Sequence, residues 1–245
     1  GGKHFSNGPT WAEQFARDMG MNRSGKPAFR VPGEFTNYAV GGSRARLEGT
    51  INLTTQVGLF AQDFPVAPAD ALYSIVIGGN DVRDAVAALA GDPSGATSAQ
   101  IIEDAVAGIA ANMQTLVGMG ATQFIVGNVP NVGLAPAVRY LDPPIPTLAT
   151  QFSAALNQGL ELVLTSIEAD PDVSIARLDA FSFVTDAVAD PTAFGLKYAD
   201  FPCLTFFVRA GAFCSQPDDY LFWDGIHPTR AGHGALAAIA IDAFD

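Results

Sequence analysis

Basic side chains are scarce in this sequence. Thirteen Lys and Arg, only three of them Lys, stand against 25 Asp and Glu, for a net charge of −12. Such a surface repels phosphate backbones and anionic headgroups, so nucleic acid and acidic membrane are poor electrostatic partners. Neutral or cationic substrates are tolerated, and excess acid also serves solubility. No apolar run approaches the roughly 20 residues of a membrane-spanning helix. No basic segment leads into an apolar core, so a signal peptide is not expected within this chain, and a mature protein would already have shed one. His4, His227 and His233 are the only histidines. They do not gather with Cys, Asp or Glu at metal-ligand spacing, so no metal is expected. Gly41–Gly42 and Gly78–Gly79 lack the spacing of a P-loop or dinucleotide fingerprint, and no cofactor is expected.

Cysteine is nearly absent too. Cys203 and Cys214 lie close together in a Pro- and Phe-rich segment. Paired, they would close a short loop worth about 2–3 kcal/mol through chain entropy. We favour that pairing over two separate buried thiols, and it implies an oxidising compartment.

Apolar residues, by contrast, are plentiful. They make up 49% of 245 residues, with a mean hydropathy of +0.22. That is enough for a full core, and the length suits one large domain better than two small ones. Thr10 and Glu13 form a capping-box signal before Trp11, Phe15 and Met19 at helical spacing, with Gly20 as the stop. Residues 21–35 read as loop. Tyr38–Val40 reads as a short strand running into Gly41–Gly42. Helices are expected over about 53–61, 82–89, 98–117, 147–168 and 230–243. Strands are expected over 71–77, 123–126 and 173–178. Residues 179–220 read as irregular, with one short helix at most. The phenylalanines at 181, 183, 194, 201, 206, 207 and 213 cluster there, where they anchor a long loop or wall an acyl pocket.

Strands alternating with helices point to an α/β fold, a three-layer α/β/α arrangement around a mostly parallel sheet. Sites in such sheets form at the carboxyl ends of the strands. Three stretches fall there. Asn37–Gly42 ends in a Gly pair. Gly78–Gly79–Asn80–Asp81 follows a strongly apolar strand. Asp224–Gly225–Ile226–His227 precedes the last helix, and its Asp can fold back onto its own His. Taken singly, each is an ordinary turn.

In this order, the three stretches resemble the second, third and fifth sequence blocks of the SGNH or GDSL hydrolases. Phe5–Trp11 and Tyr220–Thr229 are similar to a bacterial branch of extracellular esterases, lipases and lysophospholipases. The resemblance covers nearly the whole chain, residues 1–245, as one domain with a flavodoxin-like sheet. It implies acyl transfer to water on a small-molecule or lipid ester by a Ser-His-Asp mechanism, in a secreted, periplasmic or cell-surface protein. His227 would be general base and acid, and Asp224 would orient it. Gly42 would offer its backbone N–H and Asn80 its side-chain amide to the oxyanion. Gly41 and Gly78 would form turns.

The chain departs from that pattern at its start. The block that names the family, a strand followed by Gly-Asp-Ser, is absent, and the first 35 residues hold no apolar run to serve as the strand. Ser43 and Ser6 are the nearest substitutes for the nucleophile, yet neither sits between a strand and a helix. Losing an internal strand would leave backbone groups unpaired at roughly 1–3 kcal/mol each. The expectation is therefore an N-terminally incomplete domain. Its first strand would come from a longer chain, a separate segment, or a partner by strand addition or swapping. The alternatives in other classes are an inactive descendant that binds an ester, lipid or glycan, and a passenger domain of a larger outer-membrane protein.

Overall fold

The computed structural model describes residues 5–204 and 214–244. Its elements run α1 (Trp11–Asp18), α2 (Leu53–Asp63), β1 (Leu72–Val76), α3 (Gly79–Ala88), α4 (Ala96–Gly118), β2 (Gln123–Gly127), α5 (Pro136–Arg139), α6 (Ile145–Ile167), β3 (Ser174–Leu178), α7 (Ala180–Ala189) and α8 (Arg230–Phe244). The three strands form a parallel sheet in the order β1-β2-β3, with Leu72 opposite Gln123 and Gln123 opposite Ser174. Helices flank it, as the alternating pattern requires.

Side chains alternate across a strand, so one strand feeds two cores. Tyr73, Ile75, Phe124, Val126 and Ile175 pack with Ile109 and Met113 of α4 and Leu156, Leu160 and Leu164 of α6. Ile125 and Leu178 face the other way, against Trp11 and Phe15 of α1, Phe183 of α7 and Leu236 of α8. The Thr10–Glu13 capping box forms as expected, with Thr10 N donating to Glu13 Oε2 at 2.8 Å. The Cys203–Cys214 disulfide is also present.

Two expectations need correction, and a third is sharpened. Tyr38–Val40 is not a strand. Its neighbour Asn37 makes one isolated bridge to Pro27, and the Tyr38 hydroxyl donates to Asp63 Oδ2 at 2.7 Å. The three residues between Asn37 and the Gly pair have no sheet edge among the described residues to pair with. The short helix allowed for in 179–220 lies at the very start of that stretch and is ten residues long. Asp179 accepts from Ser182 N and caps the ten-residue α7, which buries Phe183, Val184 and Ala187. The second correction is that α3 begins at Gly79 rather than near Val82, so Asn80 lies in its first turn. Phe206, Phe207, Phe213 and His4 lie outside the described residues.

Candidate active site

The Asp224–His227 stretch is the tip of a tight hairpin. Trp223 N donates to His227 O at 2.7 Å, and Thr229 N to Leu221 O at 2.8 Å. Phe222 and Pro228 bridge antiparallel beneath it. Thr229, fully buried, accepts Gly232 N on its hydroxyl and so fixes the hairpin to the start of α8. Two outside segments brace it. Cys203 N and Leu204 N donate to Phe222 O and Trp223 O, and Ala137 N of α5 donates to Gly225 O at 2.8 Å.

Within that tip the carboxylate is saturated. Asp224 Oδ1 accepts Ile226 N at 2.9 Å and His227 N at 2.8 Å. Asp224 Oδ2 lies 2.8 Å from His227 Nδ1. Burial pushes the Asp224 carboxyl up, but the hydrogen bonds from the His227 ring and the two amides outweigh it and hold the group below its usual range. The native state therefore binds fewer protons here than the unfolded chain does. This contribution to stability is complete above the ordinary carboxylate range and is lost as pH falls through the depressed native value. Urea unfolding at pH 6 and pH 3 checks the sign: the acid loss should be smaller in Asp224→Asn than in the unaltered chain.

The second half of the site lies at the C-terminal end of β1. Gly78 caps α3 with φ +116°, and a Cβ there would come within 2.7 Å of Val129. Only glycine allows both the turn and that approach. The turn sets Asn80 in the first turn of α3, where its Nδ2 donates to Ser43 O at 3.0 Å. One amide hydrogen remains for a ligand. Gly42, at φ +86°, immediately precedes Ser43, so the bond from Asn80 puts the two candidate donors side by side. Its N–H has no acceptor among the described residues.

Phe5 joins the halves, and it carried no assigned role in the sequence. Its ring stacks on His227, centroids 4.9 Å apart and planes 17° apart. A Cβ on Gly41 would come within 2.8 Å of the same ring. Asn7 ties this segment down by accepting Arg230 N at 2.6 Å and donating to Asp218. The signal was the Phe-Ser-Asn-Gly motif, but nothing in spacing says which side chain meets the histidine.

The arrangement pairs a histidine with a buried carboxylate, and Phe5 links it to the Gly41–Gly42 turn that carries Asn80's partner Ser43. A family model described as GDSL-like Lipase/Acylhydrolase matches residues 1–240. The chain belongs to that family.

Its relatives agree. A GDSL esterase/lipase of Arabidopsis thaliana is 24% identical, covering 98% of this chain and 76% of the relative. A second one from the same plant is 25% identical over 97% of this chain and 76% of its own length. The anther-specific proline-rich protein APG of Arabidopsis thaliana is 26% identical over 53% of this chain and 26% of its own length. Membership in the GDSL-like family supports an ester hydrolase as the reaction class.

Neither substitute serine meets the base in this family member. Ser43 is buried, and its Oγ has no hydrogen-bond partner; Ser6 Oγ is likewise buried and unpartnered. Neither hydroxyl is bonded to His227 among the described residues. No group of three or more His, Cys, Asp or Glu among those residues could hold a metal. No helix among them is long and apolar enough to cross a membrane.

Phe5 offers a direct test of the stacking. In any ester hydrolase that uses His227 as its base, Phe5→Ala should lower kcat by about twofold to tenfold, because an aromatic stack is worth about 0.5–1.5 kcal/mol. Phe5 is 61% exposed, so thermal unfolding should barely move. A Phe5→Tyr variant should keep the rate.

Proposed function

We propose that this chain supplies the acid–base and oxyanion parts of a serine ester hydrolase, with the nucleophilic serine on a segment outside it. The Asp224–His227 hydrogen bond carries this reading. The serine Oγ attacks the ester carbonyl while His227 Nε2 takes its proton. The carbonyl oxygen becomes an anion and accepts from Gly42 N–H and Asn80 Nδ2. Asp224 stabilises the imidazolium. His227 then returns the proton to the leaving alcohol. In the second half, water attacks the acyl-enzyme with His227 again as base, releasing the carboxylic acid and the serine.

The outer edge of β1 is the place for the strand that brings the serine. Among the described residues, β1 pairs with β2 alone. A parallel strand there would satisfy its remaining backbone groups and end near Asn80 and Gly42. The disulfide supports a secreted, periplasmic or cell-surface location. The Phe5–Trp11 and Tyr220–Thr229 motifs support the extracellular esterase and lysophospholipase branch.

The test joins a strand–Gly-Asp-Ser segment to the N-terminus of this chain. Hydrolysis of a short-chain nitrophenyl ester is expected, and His227→Ala should abolish it. No hydrolysis by the completed, folded protein would overturn the reading in favour of an inactive binding protein.

A further inference from the structure

We propose that an apolar cavity beside the Asp224–His227 hairpin receives the acyl chain of the ester. The proposal rests on the hydrolase reading above and adds which part of the substrate is held, and where. The cavity measures about 270 Å³. Pro136, Ala137 and Tyr140 form one wall, Phe201, Pro202 and Leu204 the other, and Gly225 lies between them.

Three observations make it a built site rather than a chance hollow. The walls are fastened to each other: Arg139 pairs with Asp200 at 2.6 Å, and the Tyr140 hydroxyl donates to Asp200 O at 3.1 Å. The Tyr140 and Phe201 rings stack at 5.8 Å, although both are more than half exposed. The walls are also fastened to the base. Leu204 N binds Trp223 O, Ala137 N binds Gly225 O, and the disulfide at Cys203 holds the adjoining backbone. Finally, the cavity lies beside the chemistry, with Gly225 of the Asp224–His227 turn in its lining. Gly225 lies two residues from His227, so their Cα atoms are at most about 7.6 Å apart.

The lining selects the ligand class. With the Tyr140 hydroxyl proton already committed to Asp200 O, the lining offers no free side-chain donor. A sugar, glycerol or charged headgroup would lose its water without compensation. The acyl half of an ester is plain hydrocarbon, whereas the alcohol half of a lipid ester carries the polar groups. The cavity is many times larger than the space a single water needs, so it has room for an alkyl chain.

Straight-chain methyl ketones, from 2-butanone to 2-decanone, test this on the protein completed with its first strand and serine segment. They are neutral and cannot be hydrolysed. By isothermal titration, Kd should tighten about fourfold per added methylene until the cavity is full. Ala137→Trp, at an exposed position, fills the cavity and should abolish the length dependence, and Phe201→Ala should weaken it. A length-independent Kd, or the unaltered dependence in both variants, would overturn the site. In the serine-completed enzyme, methyl octanoate should be cleaved faster than octyl acetate. Equal or reversed rates would overturn the acyl assignment. Absence of all hydrolysis would overturn the hydrolase reading, and ketone binding decides separately whether the cavity takes hydrocarbon.

Discussion

In the enzyme completed with its serine segment, Asp224→Asn is expected to lower kcat about 10⁴-fold with little change in KM. The geometry explains why so small a change costs so much. Asp224 Oδ1 is occupied by two backbone donors, Ile226 N and His227 N. An asparagine would keep its oxygen there, since both amides need an acceptor. Its NH₂ group would then face His227 Nδ1. Two donors cannot meet, so Nδ1 must become the acceptor and the ring proton moves to Nε2. The ring stays in place, but the nitrogen that should take the serine proton already carries one. The hairpin would keep its fold because its other hydrogen bonds are untouched, so far-UV circular dichroism should be unchanged. Asp224→Ala separates rate from stability. It leaves the Ile226 and His227 amides without an acceptor at a partly buried turn, at about 1–3 kcal/mol for each unsatisfied group. That variant should lose both rate and Tm, and Asp224→Asn mainly rate.

The sequence made the helices and the sheet legible because their signals are local. The α8 expectation, Arg230 to Ala243, ends one residue short of the observed Phe244, and β2 and β3 match within a residue or two. Apolar periodicity and capping are written into neighbouring residues. Tyr38–Val40 failed because a strand exists only where a second edge meets it, and three apolar-looking residues cannot declare a partner. The one short helix expected in 179–220 could not be placed, because Asp, Phe and Pro dominate the stretch and the Asp179 cap sits inside a composition that reads as loop. The Asp224–His227 contact was legible because three residues in a Gly-containing turn can reach nowhere else. The Asn80–Ser43 bond and the Phe5–His227 stack were not, since they join residues 37 and 222 positions apart. Such contacts are set by the way β1, α3 and α8 pack, and no periodicity encodes them.

Asp81→Ala is expected to destabilise the fold by about 3–5 kcal/mol, more than any surface change, because Asp81 is a fully buried charge with a fixed set of partners. Its Oδ2 accepts Ala45 N at 2.8 Å, and its Oδ1 accepts Arg46 Nη1 at 2.8 Å. Arg46 also reaches Asp84 at 2.7 Å, and Arg44 holds Asp84 from the other side. Burial pushes the Asp84 carboxyl up, yet the two guanidinium groups pull it below its ordinary range. This lattice joins the 42–46 loop to α3, the same two segments that carry Gly42 and Asn80. Removing Asp81 orphans the Ala45 amide and leaves Arg46, whose side chain is only 13% exposed, with Asp84 as its one remaining carboxylate among the described residues. At roughly 2–4 °C per kcal/mol for a protein of this size, Tm should fall by about 6–20 °C. Asp84→Ala should cost less, because its side chain is 20% exposed and water can reach the arginines. The double variant Asp81→Leu with Arg46→Met separates a missing charge from a missing lattice. It should recover part of the Tm, since no charge is left unpaired. It should not recover the rate. In that variant the loop keeps Arg44 on Asp84 and Gly42 O and the Asn80 bond to Ser43 O, but loses both Asp81 contacts, which set Ala45 and Arg46 and so help aim the Gly42 N–H. The loss of one oxyanion donor costs about 10²–10³ in kcat. A double variant that regains both Tm and kcat would show that Asp81 serves the core alone.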